Sequence, residues 1–168
     1  MKRTKEENKA LCERYPFLIP SNRWSGMRIT EASGGGYWPR DPKAIPEYDY
    51  EFTELDTMPA GWLIAFGEQL CEELKTELEA NSCLDQYRIT DIKEKFGSLR
   101  WYDNFNTKHG YEIIGKYSKL SAHTCIRCGK PATRITTYWI SPYCDDCVGS
   151  ERSIPIEEYY GEDEEPDQ

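Results

Sequence analysis

The sequence predicts an α+β fold in which a long helix packs on a small antiparallel hairpin or sheet and the chain ends in a C-terminal zinc ribbon. Three observations carry this: an apolar stripe through residues 58–80, two short β-prone runs on either side of Lys95-Phe96-Gly97, and two C-x2-C pairs with 15 residues between them. A chain of 168 residues can bury one sizeable core and still carry a small metal-stapled module. The expected division is residues 1–122 as an α+β domain with an irregular, aromatic-rich N-terminal half, 123–150 as a four-cysteine zinc ribbon, and 151–168 as an acidic, disordered tail.

Each element has its own warrant. Lys5 to Tyr15 places Ala10, Leu11 and Tyr15 at helical spacing, and Pro16 stops that helix by removing an amide donor and crowding the turn before it. From Phe17 to Thr57 periodicity is weak; Gly34-Gly35-Gly36 reads as a flexible link, and one short strand is expected around Tyr48 to Phe52. Met58 to Ala80 is the clearest helix, because Trp62, Phe66, Leu70, Leu74 and Leu78 recur every four residues, with Thr57 as the expected cap and Pro59 tolerated in the first turn. Tyr87 to Lys93 and Ser98 to Asp103 form the expected hairpin, with Gly97 supplying the turn. A second helix is expected from about Lys108 to Ala122, capped by Asn106 or Thr107, with Ile113, Ile114, Tyr117 and Leu120 along one side.

Cys125-Ile126-Arg127-Cys128-Gly129 and Tyr143-Cys144-Asp145-Asp146-Cys147 fall within the spacing of a four-cysteine zinc site. Two such turns bring four thiolates to a tetrahedron, with Gly129 accommodating the backbone conformation that the first one needs. Cys125, Cys128, Cys144 and Cys147 are therefore the expected ligands of one structural Zn(2+) per chain, and a closed four-sulfur shell leaves no place for a catalytic water. Ala132 to Trp139 reads as a strand between the pairs, and His123 as a bystander. Cys12, Cys71 and Cys83 are left over from an odd total of seven, which fits a reducing compartment better than a disulfide framework.

Net charge is −9, but it is unevenly spread: residues 86–138 hold ten basic and four acidic side chains, whereas 151–168 hold one basic and eight acidic. Lys93, Lys95, Arg100, Trp101, Arg127, Lys130 and Arg134, in the basic segment 88–134, are the expected contacts for nucleic acid or another partner, because cations neutralise phosphates and rings stack on unpaired bases. Candidates for catalysis are thin. Asp91-Ile92-Lys93 has the form of half a metal-dependent nuclease motif, with Asp85 or Glu77 as upstream acid; Glu68 and Glu72 sit one helical turn apart, and His109 and His123 have no evident nucleophile partner. No apolar run approaches the ~18 residues needed to cross a bilayer, and Met1 to Lys9 is charged without an apolar stretch behind it, so a cytoplasmic protein with no membrane contact is expected.

Tyr15-Pro16-Phe17-Leu18-Ile19-Pro20-Ser21-Asn22-Arg23-Trp24, Thr53-Glu54-Leu55-Asp56 through Gly61-Trp62 to Gln69, Ile92-Lys93-Glu94-Lys95-Phe96-Gly97-Ser98-Leu99-Arg100-Trp101-Tyr102 and the two cysteine turns resemble a family of small proteins of bacteriophages, prophages and gut bacteria. The resemblance covers about residues 11–148. It implies a bacterial or phage-infected cytosol and a zinc-ribbon end, and supplies no catalytic residues. The expected function is a zinc-binding protein-interaction factor with no enzymatic activity, in the setting of a phage accessory or anti-defence protein whose partner is a protein of the host or its defences. Nucleic-acid binding through the basic segment is the second reading, and a metal-dependent nuclease the third.

Overall fold

The computed structural model describes residues 3–20 and 48–161. Most of the irregular stretch, including Gly34 to Gly36, and the acidic run 162–168 lie outside them. The elements run α1 (Lys5–Arg14), a 3-10 turn (Pro16–Leu18), a second 3-10 turn (Glu54–Thr57), α2 (Ala60–Trp62), a π-helical turn (Leu63–Gly67), α3 (Glu68–Ala80), β1 (Ile89–Lys95), β2 (Ser98–Asp103), α4 (Lys108–Ala122), β3 (Arg134–Thr136), β4 (Pro142–Tyr143), α5 (Asp145–Val148), β5 (Ser153–Pro155) and α6 (Ile156–Tyr160). The fold is mixed helix and antiparallel sheet, as the sequence predicts.

The stripe Trp62, Phe66, Leu70, Leu74, Leu78 is buried along its whole length. An α-helix turns about 100° per residue, so side chains spaced by four drift about 40° around the axis at each step. The π turn at Leu63–Gly67 takes up an extra residue and winds the stripe back toward the core. Thr57 does not cap this run; its hydroxyl donates to the Glu54 carbonyl at 2.8 Å, and Pro59 occupies the cap position. The Gly61 amide, orphaned at the helix start, is instead taken by the carbonyl of Ile126 at 2.9 Å.

Around this helix lie α1 and its following turn, whose Leu11, Tyr15, Phe17 and Leu18 join the core, and α4, which packs against both the helix and strand β2 of the hairpin. Thr4 closes α1 with a capping box. Thr107 caps α4 by accepting the Gly110 amide at 2.9 Å, and α4 spans the residues expected of it. The hairpin is joined to α4 by Ser121, a buried hydroxyl that accepts the Leu99 amide at 2.7 Å and donates to the Ser118 carbonyl at 2.6 Å. No strand forms at 48–52, because Tyr50 takes a left-handed φ of 57° and breaks the extended run.

Register in the hairpin pairs Ile92 with Trp101, Lys93 with Arg100, and Lys95 with Ser98. Ile92, Leu99 and Trp101 are buried, leaving Lys93, Lys95 and Tyr102 exposed and Arg100 half-buried. The turn itself is Phe96-Gly97, both residues with positive φ, 53° and 78°. That is the two-residue turn whose twist suits a hairpin.

The C-terminal sheet has the order β4-β3-β5. Its central strand is shorter than expected, since only Arg134–Thr136 pairs before the chain turns back at residues 137–140. The acidic tail does not begin at 151. Ser153–Pro155 pairs with β3, Ile154 opposite Ile135, and Ile156 is buried as its amide bonds to the Thr133 carbonyl at 3.1 Å. Two isoleucines at strand spacing win this segment for the sheet, and Pro155 is tolerated because β5 is an edge.

Candidate metal centre

Two backbone turns present the four cysteines. In the first, the Cys125 carbonyl accepts the Gly129 amide at 3.0 Å while the Cys125 amide bonds to the Lys130 carbonyl at 2.8 Å, and Gly129 sits at a φ of 79°. In the second, the Cys144 carbonyl accepts the amides of Cys147 and Val148, both at 3.0 Å, at the start of α5. The Ile126 amide bonds to the Pro142 carbonyl at 2.9 Å and so ties the two turns together.

The result is a set of sulfurs from Cys125, Cys128, Cys144 and Cys147 that all lie within 4.8 Å of one another and can hold a metal ion. Cys125 and Cys144 are buried, Cys128 and Cys147 partly exposed. Burial opposes charge on Cys125, but the backbone amides of Cys144, Cys128 and Arg127 and the Cys128 thiol outweigh it and hold Cys125 down at about 7. Hydrogen bonding to Cys128, followed by burial, pushes Cys147 the other way, to about 12. A metal must therefore displace protons from this cluster as it binds. His123 is not among the clustered ligands; its ring faces Tyr160, with centroids 5.0 Å apart.

The centre is seated on the long helix. Besides the Gly61 amide bond to Ile126, the Trp62 indole N–H donates to the Thr124 carbonyl at 2.9 Å within the buried interior. A Cβ on Gly61 would stand 2.1 Å from the Cys125 oxygen, and one on Gly129 would stand 2.6 Å from the Gly61 oxygen. Two glycines thus let a helix backbone and a cysteine turn meet with no side chain between them.

The predicted contact residues separate into two groups. Trp101 is unavailable: it is 7% exposed, faces inward opposite Ile92, and its indole N–H donates to the Tyr87 hydroxyl at 2.8 Å. That hydroxyl in turn donates to Asp103 at 2.9 Å. Arg134 is engaged by β5, donating to the Ser153 hydroxyl and carbonyl. Arg127 donates to the Cys147 carbonyl at 3.0 Å and Lys130 pairs with Asp146 at 3.0 Å, so both brace the second cysteine turn. Lys93, Lys95 and Arg100 share the outer strand face, Lys93 lying 5.0 Å from the Tyr102 ring centre and paired to Asp91, and half-buried Arg100 donating to the Leu99 carbonyl and the Ser118 hydroxyl, both at 3.4 Å.

Asp85 is exposed and its backbone carbonyl accepts from Arg88, while the other acidic candidates are engaged through their side chains. Glu77 accepts from Thr107 at 2.6 Å and from Asn81 at 2.8 Å, and Glu72 accepts from Arg14 and from the Tyr15 hydroxyl, both at 2.8 Å. Glu68 reaches Arg14 at 3.6 Å, and His109 meets Glu112 at 3.1 Å. Asp91 and Lys93, the two charged members of the nuclease-like triplet, bond to each other. No helix among the described residues is long and apolar enough to cross a membrane. No protein-family model matches the chain, and no curated protein or solved structure is detectably similar to it.

Phe96 and Tyr138 are among the rings that the basic segment offers for stacking on bases, whereas Trp139 is read from the sequence only as the end of a strand. Phe96, Tyr138 and Trp139 are 68%, 98% and 72% exposed. A signal for the exposure of the last two was present, since adjacent aromatics just before Ser141-Pro142 lie on a turn rather than inside a strand.

Proposed function

We propose that the four cysteines hold one structural Zn(2+) and that the chain is a zinc-stapled binding scaffold rather than a catalyst. The observation that carries this reading is the closed set of four sulfurs seated directly on the start of the long helix. Tetrahedral zinc lies ~2.3 Å from thiolate sulfur, which makes each sulfur–sulfur edge ~3.8 Å. The 3.6 Å separation of Cys128 and Cys144 fits that edge, and the remaining pairs need at most about 1 Å of closure. Four thiolates complete the coordination, so zinc here supplies rigidity and no activated water.

The setting we infer is a reducing cytosol, where such thiols stay unpaired, in a phage accessory or anti-defence role suggested by the resemblance of residues 11–148. A protein partner from the host and a nucleic-acid partner both fit this scaffold; they differ in what the exposed rings touch. The test of the metal assignment is cobalt substitution. Co(2+) added to the apoprotein is expected to give the intense visible absorption of a tetrahedral all-thiolate site, to be displaced by one equivalent of Zn(2+), and to bind more weakly as pH falls because protons compete for the sulfurs. Octahedral absorption, or titration unaffected by Cys144→Ser, would contradict it.

A further inference from the structure

The tip of the β1-β2 hairpin and the turn between β3 and β4 come together into one edge. Gly97 is buried there, with a Cβ position only 3.2 Å from the Ile140 side chain and 3.7 Å from Pro142. Glu94 clamps the junction: one carboxylate oxygen accepts the Gly97 amide at 2.7 Å and the other accepts the Trp139 indole N–H at 3.3 Å. This edge carries three outward rings, Phe96, Tyr138 and Trp139, contributed by two segments far apart in sequence.

Folding does not account for Phe96. It occupies a left-handed backbone position, φ 53°, where glycine or asparagine is the comfortable choice and an aromatic residue is strained. The ring recovers little of that by burial, being 68% exposed. Tyr138 is 98% exposed and adds nothing to the core. A strained ring and a fully solvated ring on one rigid edge point to a ligand with flat apolar faces.

The charge beside them selects the ligand. Lys95 lies 5.3 Å from the Phe96 ring centre, and Lys93 and Arg100 face each other on the adjoining strand surface. Exposed Arg152 is held near the other turn, its carbonyl accepting the Thr137 amide at 3.1 Å. Of the acidic groups nearby, Asp91 is paired to Lys93 and Glu94 is occupied at the junction, while Glu151 is exposed next to Arg152. The cations named here exceed the anions by one charge, whereas the chain as a whole carries −9, so this edge is set against the general charge.

We propose that this edge binds single-stranded nucleic acid, with bases stacking on Phe96, Tyr138 and Trp139 and the phosphates meeting Lys93, Lys95 and Arg100. The proposal rests on the scaffold reading above, because the β3-β4 turn is held against the hairpin within the metal-bearing ribbon. Its chemistry is that of sequence-tolerant single-strand recognition: rings for bases, cations for the backbone.

The experiment is fluorescence anisotropy with short labelled oligothymidylate and oligouridylate, on full-length protein whose zinc content and thermal melt are measured alongside. Intact protein is expected to bind one or both probes with affinity that falls steeply with salt. Phe96→Asn, which relieves the turn and should raise the melting temperature, is expected to weaken binding roughly ten-fold. Tyr138→Ser should weaken it similarly with the melt unchanged, and Lys95→Glu should reduce the salt dependence as well as the affinity. Zinc-loaded, folded protein that binds neither probe overturns the proposal and leaves the scaffold reading intact. Binding unaltered by Phe96→Asn and Tyr138→Ser also overturns it, whereas protein that folds without zinc overturns the scaffold reading itself.

Discussion

Gly61→Ala is expected to lower the melting temperature by about 6–12 °C and to weaken metal retention, although residue 61 ligates nothing. The added Cβ would fall 2.1 Å from the Cys125 oxygen, 2.7 Å from the Ile126 carbonyl carbon and 2.8 Å from the Gly129 nitrogen, all of them backbone atoms that cannot rotate aside. Either the helix start or the first cysteine turn must withdraw, breaking the Gly61 amide bond to Ile126 and the Trp62 bond to Thr124. Overpacking of this kind costs about 3 kcal/mol or more, and each kcal/mol moves the midpoint of a domain this size by about 2–4 °C. Gly115→Ala is the control. It lies within α4 with nothing within 4 Å of its Cβ position, so removing backbone freedom there should stabilise the protein by roughly 0.5–1 kcal/mol. Thermal melts of the two variants should move in opposite directions.

Removing the metal is expected to have the larger effect. Structural zinc contributes about 10–16 kcal/mol to the folding of zinc-finger peptides, as much as the whole stability of a typical domain. The ribbon spreads its contacts over β3, β4, β5 and α6 around a small apolar set that includes Ala132, Ile135 and Ile156. Hydrogen exchange after chelation should therefore show residues 124–156 losing protection together. The Gly61 amide, whose acceptor is in the ribbon, should go with them, while the amides of α3 stay protected by their own helix and core. Protection of the ribbon unchanged by chelation would mean that the four thiols pack without help from a metal.

The parts of this fold that depend on local pattern were legible in the sequence. A stripe of five large apolar residues spaced by four can only be one buried helix face, and two C-x2-C turns can only converge if the chain between them folds back. Alternation in Leu99-Arg100-Trp101-Tyr102 also held the answer on Trp101, since it shares the parity of Leu99 and belongs inside. Grouping it with its basic neighbours by composition gave the wrong side of the strand. The π turn was hidden because a four-residue stripe looks the same whether the helix winds back or drifts.

What could not be read was contact between distant segments. Gly61 looks like an ordinary small residue near a helix start, and its role becomes visible only when Gly129 is seen against it. Thr57 matched the residue type of a cap, but the helix began three residues later and its amide found a carbonyl 65 positions away, at Ile126. β5 was masked by its composition: Ile154 and Ile156 sit in an acidic run, and charge outvoted a two-residue alternation. Phe96 and Trp139 meet at one edge only because two separate turns pack there, which no window along the chain contains.

On the proposed function, Cys125, Cys128, Cys144 and Cys147 close around one zinc ion that fastens the ribbon to the helix. Elemental analysis of the purified protein, with native mass spectrometry to fix stoichiometry, tests it most directly. One zinc per chain is expected, lost from Cys144→Ser and retained by Cys83→Ser, since Cys83 is a free thiol outside the cluster. Protein that is folded, fully reduced and free of zinc, or that keeps its zinc in Cys144→Ser, would contradict it.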